Sequence, residues 1–227
     1  KAASGGQDAE SLADAMVRAP QIMRHRERAV TAQDYEDLAL QTPDVRFGRI
    51  KCLQPRPSDT SQVAPGQVYV LILPRVRQPE GYLTPEQLEP ATEDIARLEA
   101  YLDRRRLLTT RLYINKPAYH WAAARVMLRA DINAEQDKVT ADVLARLHRF
   151  LNPFVGGQGG TGWPFGRELF LPDLYQCLQG IPNVQFVRSV ELYDTEAGEG
   201  PTGKPVESIR VLEHGVIVSG KHEVVFI

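Results

Sequence analysis

A chain of 227 residues with 27 basic and 29 acidic side chains carries a formal charge of −2. At 43% hydrophobic and 25% charged residues, it has the composition of one large or two small folded domains, not of a disordered or collagen-like chain. The balanced charge exerts no general pull on nucleic acid or an anionic membrane, and the longest apolar run, residues 68–73, is far short of the roughly 20 that span a bilayer.

The opening KAASGGQ is small and polar and reads as a flexible lead-in. With neither a starting Met nor an apolar signal segment, the chain is expected to be part of a longer polypeptide or a trimmed product. Leu12 and Met16, four apart and followed by Pro20, predict a short helix over 8–19. A basic stretch containing Arg24, Arg26 and Arg28 comes next. Thr31 followed by Asp34 is a variant of the capping box, and Val30 before the cap can staple onto Tyr35. The helix so started runs to about Gln41 and is stopped by Thr42-Pro43.

Strand-like runs at 45–53 and 67–73 flank a Pro- and Ser-rich loop, with Gly48 placed to make a bulge. A helix over 91–106 turns Ile95, Leu98 and Leu102 to one side and ends on Arg104, Arg105 and Arg106, cations that suit its negative pole. Residues 112–115 and 121–130 read as strands joined by a turn at Lys116-Pro117, and 135–151 as a helix with Val139, Val143, Leu147 and Phe150 in a stripe. Strand–strand–helix therefore occurs twice, a possible structural pseudo-repeat. A glycine-rich loop at 152–167 leads to a short helix near 172–180, a strand at 184–193 and an acidic loop at 194–205. Runs at 208–212, 216–219 and 223–227 complete a β-meander. The class is α+β. Three segments are expected: a helical stretch 1–43, an α+β core 44–151, and a β-rich part 152–227 that begins with the loop.

No reaction centre is spelled out. The histidines at 25, 120, 148, 214 and 222 lack metal-ligand spacing, and His148 and His214 read as structural or solvent-facing. Cys52 and Cys177 sit in apolar patterns and read as buried reduced thiols. The loop GGQGGTGW starting at Gly156 could cradle a phosphate with backbone N–H groups, but it follows a helix and has no Lys. Its aromatics, Trp163 and Phe165, bury either against a neighbouring molecule or against this chain's own core.

Three segments taken in order, RAVTAQDYEDLA from Arg28, LDRRRLLTT from Leu102, and FLNP from Phe150 with GTGWPFGR from Gly160, resemble the baseplate J family. These are wedge proteins of contractile-tailed phages and phage-tail-like contractile injection systems. The resemblance runs from about Arg24 to Tyr193 and, because family members are typically longer at the N-terminus, implies that this chain is a C-terminal portion. It implies a structural subunit with no catalytic residue, metal or cofactor. Such a subunit joins other wedge subunits and copies of itself in a ring around the spike and hub, beneath the sheath, and takes part in triggering contraction. It also implies a soluble particle assembled in the bacterial cytoplasm, without nucleic acid, membrane insertion or a small-molecule substrate. On this reading the candidate contact residues are Arg24, Arg26, Arg28, Arg104, Arg105, Trp163, Phe165 and Arg167. Val30, Thr31, Asp34 and Tyr35 set the first capped helix, and Gly160, Gly162, Pro164 and Gly166 shape the loop. The alternative class is an enzyme domain that binds a phosphorylated ligand at 156–166.

Overall fold

Leu12, Met16, residues 27–54 and residues 66–227 are described by the structure, a computed structural model. Leu12 and Met16 are helical and exposed; the rest of the expected 8–19 helix, Arg24, Arg26 and loop residues 55–65 lie outside the described residues.

Helix α1 (Ala32–Leu40) begins where the capping residues place it. The Asp34 N–H donates to the Thr31 hydroxyl at 3.2 Å, and the Thr31 N–H donates to the Asp34 carboxylate at 2.8 Å. This reciprocal pair satisfies two otherwise orphaned donors of the first turn. The expected staple does not form: Val30 is 55% exposed and outside the cluster that buries Tyr35. Ala29 points inward instead, because its N–H donates to the Arg105 carbonyl and the segment runs alongside Arg106.

Strands β1 (Phe47–Leu53) and β2 (Gln67–Pro74) pair antiparallel, and the register slips between Phe47 and Arg49, so Gly48 is a bulge as its position predicts. A 3₁₀ turn (Pro85–Leu88) precedes helix α2 (Thr92–Asp103). That helix ends at Asp103 rather than 106, since Arg106 is drawn into pairing with Ala29. Strand β3 (Arg111–Asn115) then pairs parallel to β2, completing a sheet in the order β1-β2-β3. Tyr35, Leu38, Leu98 and Leu102 from the two helices bury Cys52, Val70 and Ile72 of this sheet.

Lys116-Pro117 is not a hairpin turn. It carries the chain out of the first sheet into β4 (Ala118–Ala130), which belongs to a second one. The two strand–strand–helix runs are therefore not structural repeats: β1 and β2 are partners, whereas β3 and β4 are not. Helix α3 (Gln136–Phe150) lays Val139, Val143 and Leu147 into the same core as Ala122, Ala124, Val126 and Leu128 of β4. Short β5 (Leu169–Phe170) and helix α4 (Leu171–Cys177) lead to β6 (Val184–Thr195), antiparallel to β4 along nearly its whole length.

The meander is also corrected. Strand β7 (Ser208–Ile209) pairs with β5, while β8 (Gly215–Ser219) and β9 (Glu223–Phe226) both pair parallel to β4, one after the other along its other edge. At 13 residues β4 is long enough to seat both. The class remains α+β, with both cysteines buried and reduced and their thiols pushed up to about 12 by burial. Thr31→Ala is expected to lower the stability of the full chain by about 0.5–2 kcal/mol in urea unfolding. An unchanged midpoint would show that the cap contributes nothing.

Candidate functional site

The glycine-rich loop is held from within. Asn152, 1% exposed, ends α3 and serves as its pivot. Its side-chain oxygen accepts from the N–H groups of Phe154 and Val155 at 2.8 and 3.1 Å, and its side-chain nitrogen donates to the Pro79 carbonyl. Its own carbonyl accepts from Gly156 and Trp163. Gly157 donates to Phe150, Gly160 to Gly157, and Gly162 to Gly156. Five loop N–H groups are thus committed to carbonyls of this chain, so most of the glycine-rich backbone is spent on holding the loop itself.

Arg49, on β1, reaches across to this loop. Its guanidinium donates to the carbonyls of Pro153 and Trp163, the latter at 2.8 Å, and lies 4.9 Å from the Phe165 ring. Burial pulls its pKa below the usual arginine value, with no carboxylate among the described residues to offset it. Two glycines make room. A Cβ on Gly48 would meet the Phe154 ring at 2.5 Å, and one on Gly162, which has φ +95°, would meet the guanidinium at 2.5 Å. The latch joins the two sheets through side chains and turns, not through a strand ladder.

The loop candidates fall around this latch. Trp163 is fully buried: its ring packs edge-on to Phe150 at 5.5 Å, and its indole N–H donates to the Arg167 carbonyl at 3.0 Å. It therefore presents no surface to a neighbour. Arg167 stacks over that indole and pairs with Asp173 at 3.0 Å, and Phe165 is half-buried. Gly160 and Gly166 adopt positive φ, and Pro164 is exposed. Of the other basic candidates, Arg105 lies 3.7 Å over the Tyr101 ring and caps that residue's carbonyl, whereas Arg28 and Arg104 are exposed.

A second polar cluster was invisible to spacing. Between its pairings with Ser219 and Glu223, β4 has one N–H, that of Ala124, facing the step from β8 to β9. His222 fills the gap, accepting that N–H on Nδ1 at 2.9 Å. A backbone N–H can only donate, so Nδ1 is bare and Nε2 carries the proton. Nε2–H then donates to Ser219 Oγ at 2.8 Å, and the same hydroxyl lies 2.8 Å from His148 Nδ1 and donates to the Gly220 carbonyl at 3.4 Å. Burial, with His148 nearby, pulls His222 down to about 3, and burial lowers His148 as well. The cluster splices a sheet and ties it to α3. A mostly apolar groove of about 320 Å³, lined by Pro85, Tyr119 and Trp121 with the Lys116–Glu89 ion pair at its rim, gathers no reactive set. No group of three metal-ligating side chains is found among the described residues.

No family model matches the chain, and no curated protein matches it. The fold is similar to a chain in the cryo-EM structure of the anti-feeding prophage baseplate, 6-fold symmetrised, with TM-score 0.65 and 20% identity. The match covers 96% of this chain and 43% of that one, so this chain spans less than half the length of its structural neighbour.

Two outcomes follow from this geometry. Arg49→Met, which keeps the stem and removes the donors, should cost about 1–3 kcal/mol because two carbonyls lose their donor, and Trp163→Ala about 3–5 kcal/mol; urea unfolding reads both, and wild-type midpoints would refute the latch. For His222, with its folded pKa below the ordinary histidine value of about 6.5, the unfolded chain binds more protons between pH 3 and 6.5. Stability then rises with pH across that window and flattens above it. His222→Gln, whose side-chain oxygen can accept the Ala124 N–H, should lose much of that slope in urea titrations. An unaltered slope would show that His222 is not the group responsible.

Proposed function

We propose that this chain is a structural subunit of the baseplate of a contractile, phage-tail-like particle. The single observation that carries the reading is the fold likeness to the anti-feeding prophage baseplate chain across 96% of this chain. The motifs RAVTAQDYEDLA and GTGWPFGR support the finer assignment to the baseplate J-like wedge proteins. In that role the chain works without catalysis and is held by neighbouring wedge subunits and copies of itself around the spike and hub. It transmits rearrangement when the sheath contracts, in a soluble particle assembled in the bacterial cytoplasm.

The internal construction suits such work. A subunit that is gripped from outside must not yield between its parts, and a charged side chain hydrogen-bonded to two backbone carbonyls is a directional brace. The committed loop donors put the glycines to structural use, as close-approach positions for Arg49 and Phe154.

The test is to tag the native gene product in its own host and sediment tail-like particles from lysate. The chain is expected in the particle fraction, at the baseplate end in electron micrographs, and its deletion is expected to abolish particles with a complete baseplate. A chain that stays in the slow-sedimenting fraction while intact particles form without it would overturn the reading.

A further inference from the structure

Sheet edges that stay open invite another strand, and folded proteins usually close them. Two outer edges of this chain are partly capped by side chains or nearby backbone. On β1, the Cys52 N–H donates to the Glu36 carboxylate at 2.9 Å. On β6, the Val190 N–H donates to the Tyr175 hydroxyl at 3.0 Å, and Leu192 bridges to Val206.

Strand β3 is different. The Arg111 N–H donates to the Gly66 carbonyl at 2.6 Å, with Arg111 in register with Gln67. In a parallel ladder this turns the backbone groups of Arg111, Tyr113 and Asn115 towards β2 and those of Leu112 and Ile114 outward. Strand β3 ends its sheet, and nothing among the described residues takes those outward groups.

The surroundings specify what fits. Arg111 opens the strand, Arg104 lies just upstream, and Arg28 adjoins Ala29, which bridges to Arg106. All three are exposed and form no ion pair among the described residues, whereas Arg106 is already taken by Asp103 at 2.6 Å. Leu108 is 100% exposed, and Tyr113 stands on the open face stacked on Tyr69 at 4.8 Å. In a chain of net charge −2, this is a local basic rim beside an open backbone edge.

We propose that the β3 edge is an interaction surface that receives an extended, carboxylate-bearing strand from a neighbouring, different subunit of the assembly. The inference rests on the baseplate reading above. A row of alternating N–H and C=O groups is matched by another extended backbone, and unpaired guanidiniums select carboxylates on it. A second copy brings none: antiparallel pairing of two β3 strands about Tyr113 sets Arg111 against Asn115.

The experiment compares amide hydrogen exchange of the full chain alone and in purified particles, with Arg104→Glu/Arg111→Glu as the paired variant. Exchange at Leu112 and Ile114 is expected to slow by about tenfold or more in the particle. The double variant, which alters only exposed side chains, should keep its urea midpoint yet enter particles about tenfold less, the arithmetic of a modest interface loss. Particles that contain the chain while Leu112 and Ile114 exchange as in the free chain would overturn the edge and leave the baseplate reading standing. Protection already present in the free chain, whether from its own residues or from a dimer that the double variant dissolves, would also overturn it. Normal entry of the double variant would remove the carboxylate requirement and with it the proposal. A chain absent from every particle would overturn both readings.

Discussion

A single guanidinium holds this molecule's parts in place. Arg49 leaves the bulge of β1 and gives its N–H groups to two carbonyls of the glycine-rich loop while the Phe165 ring covers it. Hydrogen bonds from a charged donor are worth about 1.5–3 kcal/mol each, roughly twice a neutral one, and their direction is fixed by the planar fork. Because no carboxylate among the described residues accompanies the charge, the carbonyl dipoles must stay where they are. That requirement runs outward through the loop: Asn152 pins its start, Gly162 leaves space for the guanidinium, and Gly48 leaves space for Phe154. Ordering so many glycines costs conformational entropy. The latch, the buried indole of Trp163 and the internally committed N–H groups together offset it.

The second organising feature is the length of β4. A strand of 13 residues with β6 along one edge leaves the other edge to be filled, and two short strands in line fill it. Where they meet, a backbone acceptor is missing, and the His222 imidazole supplies it. Burial, with His148 nearby, keeps its pKa low, so the ring stays neutral and remains an acceptor for the Ala124 N–H. Ser219 links the imidazole to His148 and so to helix α3. Both ring nitrogens of His222 and the Ser219 hydroxyl are engaged at this junction.

Function follows from the surface more than from any cavity. The polar side chains that cluster inside are paired with one another, and the groove near Trp121 gathers no reacting set. Among the described residues, the unspent capacity for interaction lies outside, in the exposed Arg28, Arg104 and Arg111 and in the β3 edge that none of those residues pairs.

What the sequence determined alone is local. The Thr31–Asp34 box starts α1, Gly48 marks the bulge, the apolar stripe defines α3, and both cysteines lie in apolar runs; each is a matter of neighbours within a few positions. The α+β class follows from those elements. Partnership between strands is another matter, because a period of two says which side of a strand is apolar but not which strand lies beside it. So β3 and β4 read as strands joined by a turn and belong to different sheets, and β8 and β9 read as part of a meander and both flank β4. The same limit hid Arg49, one more cation on an irregular strand until the loop 104 residues away closed over it, and it hid the meeting of His148 with His222. Only the tertiary structure turned Val30 outward and Trp163 inward, since burial depends on what the rest of the chain packs against each side chain.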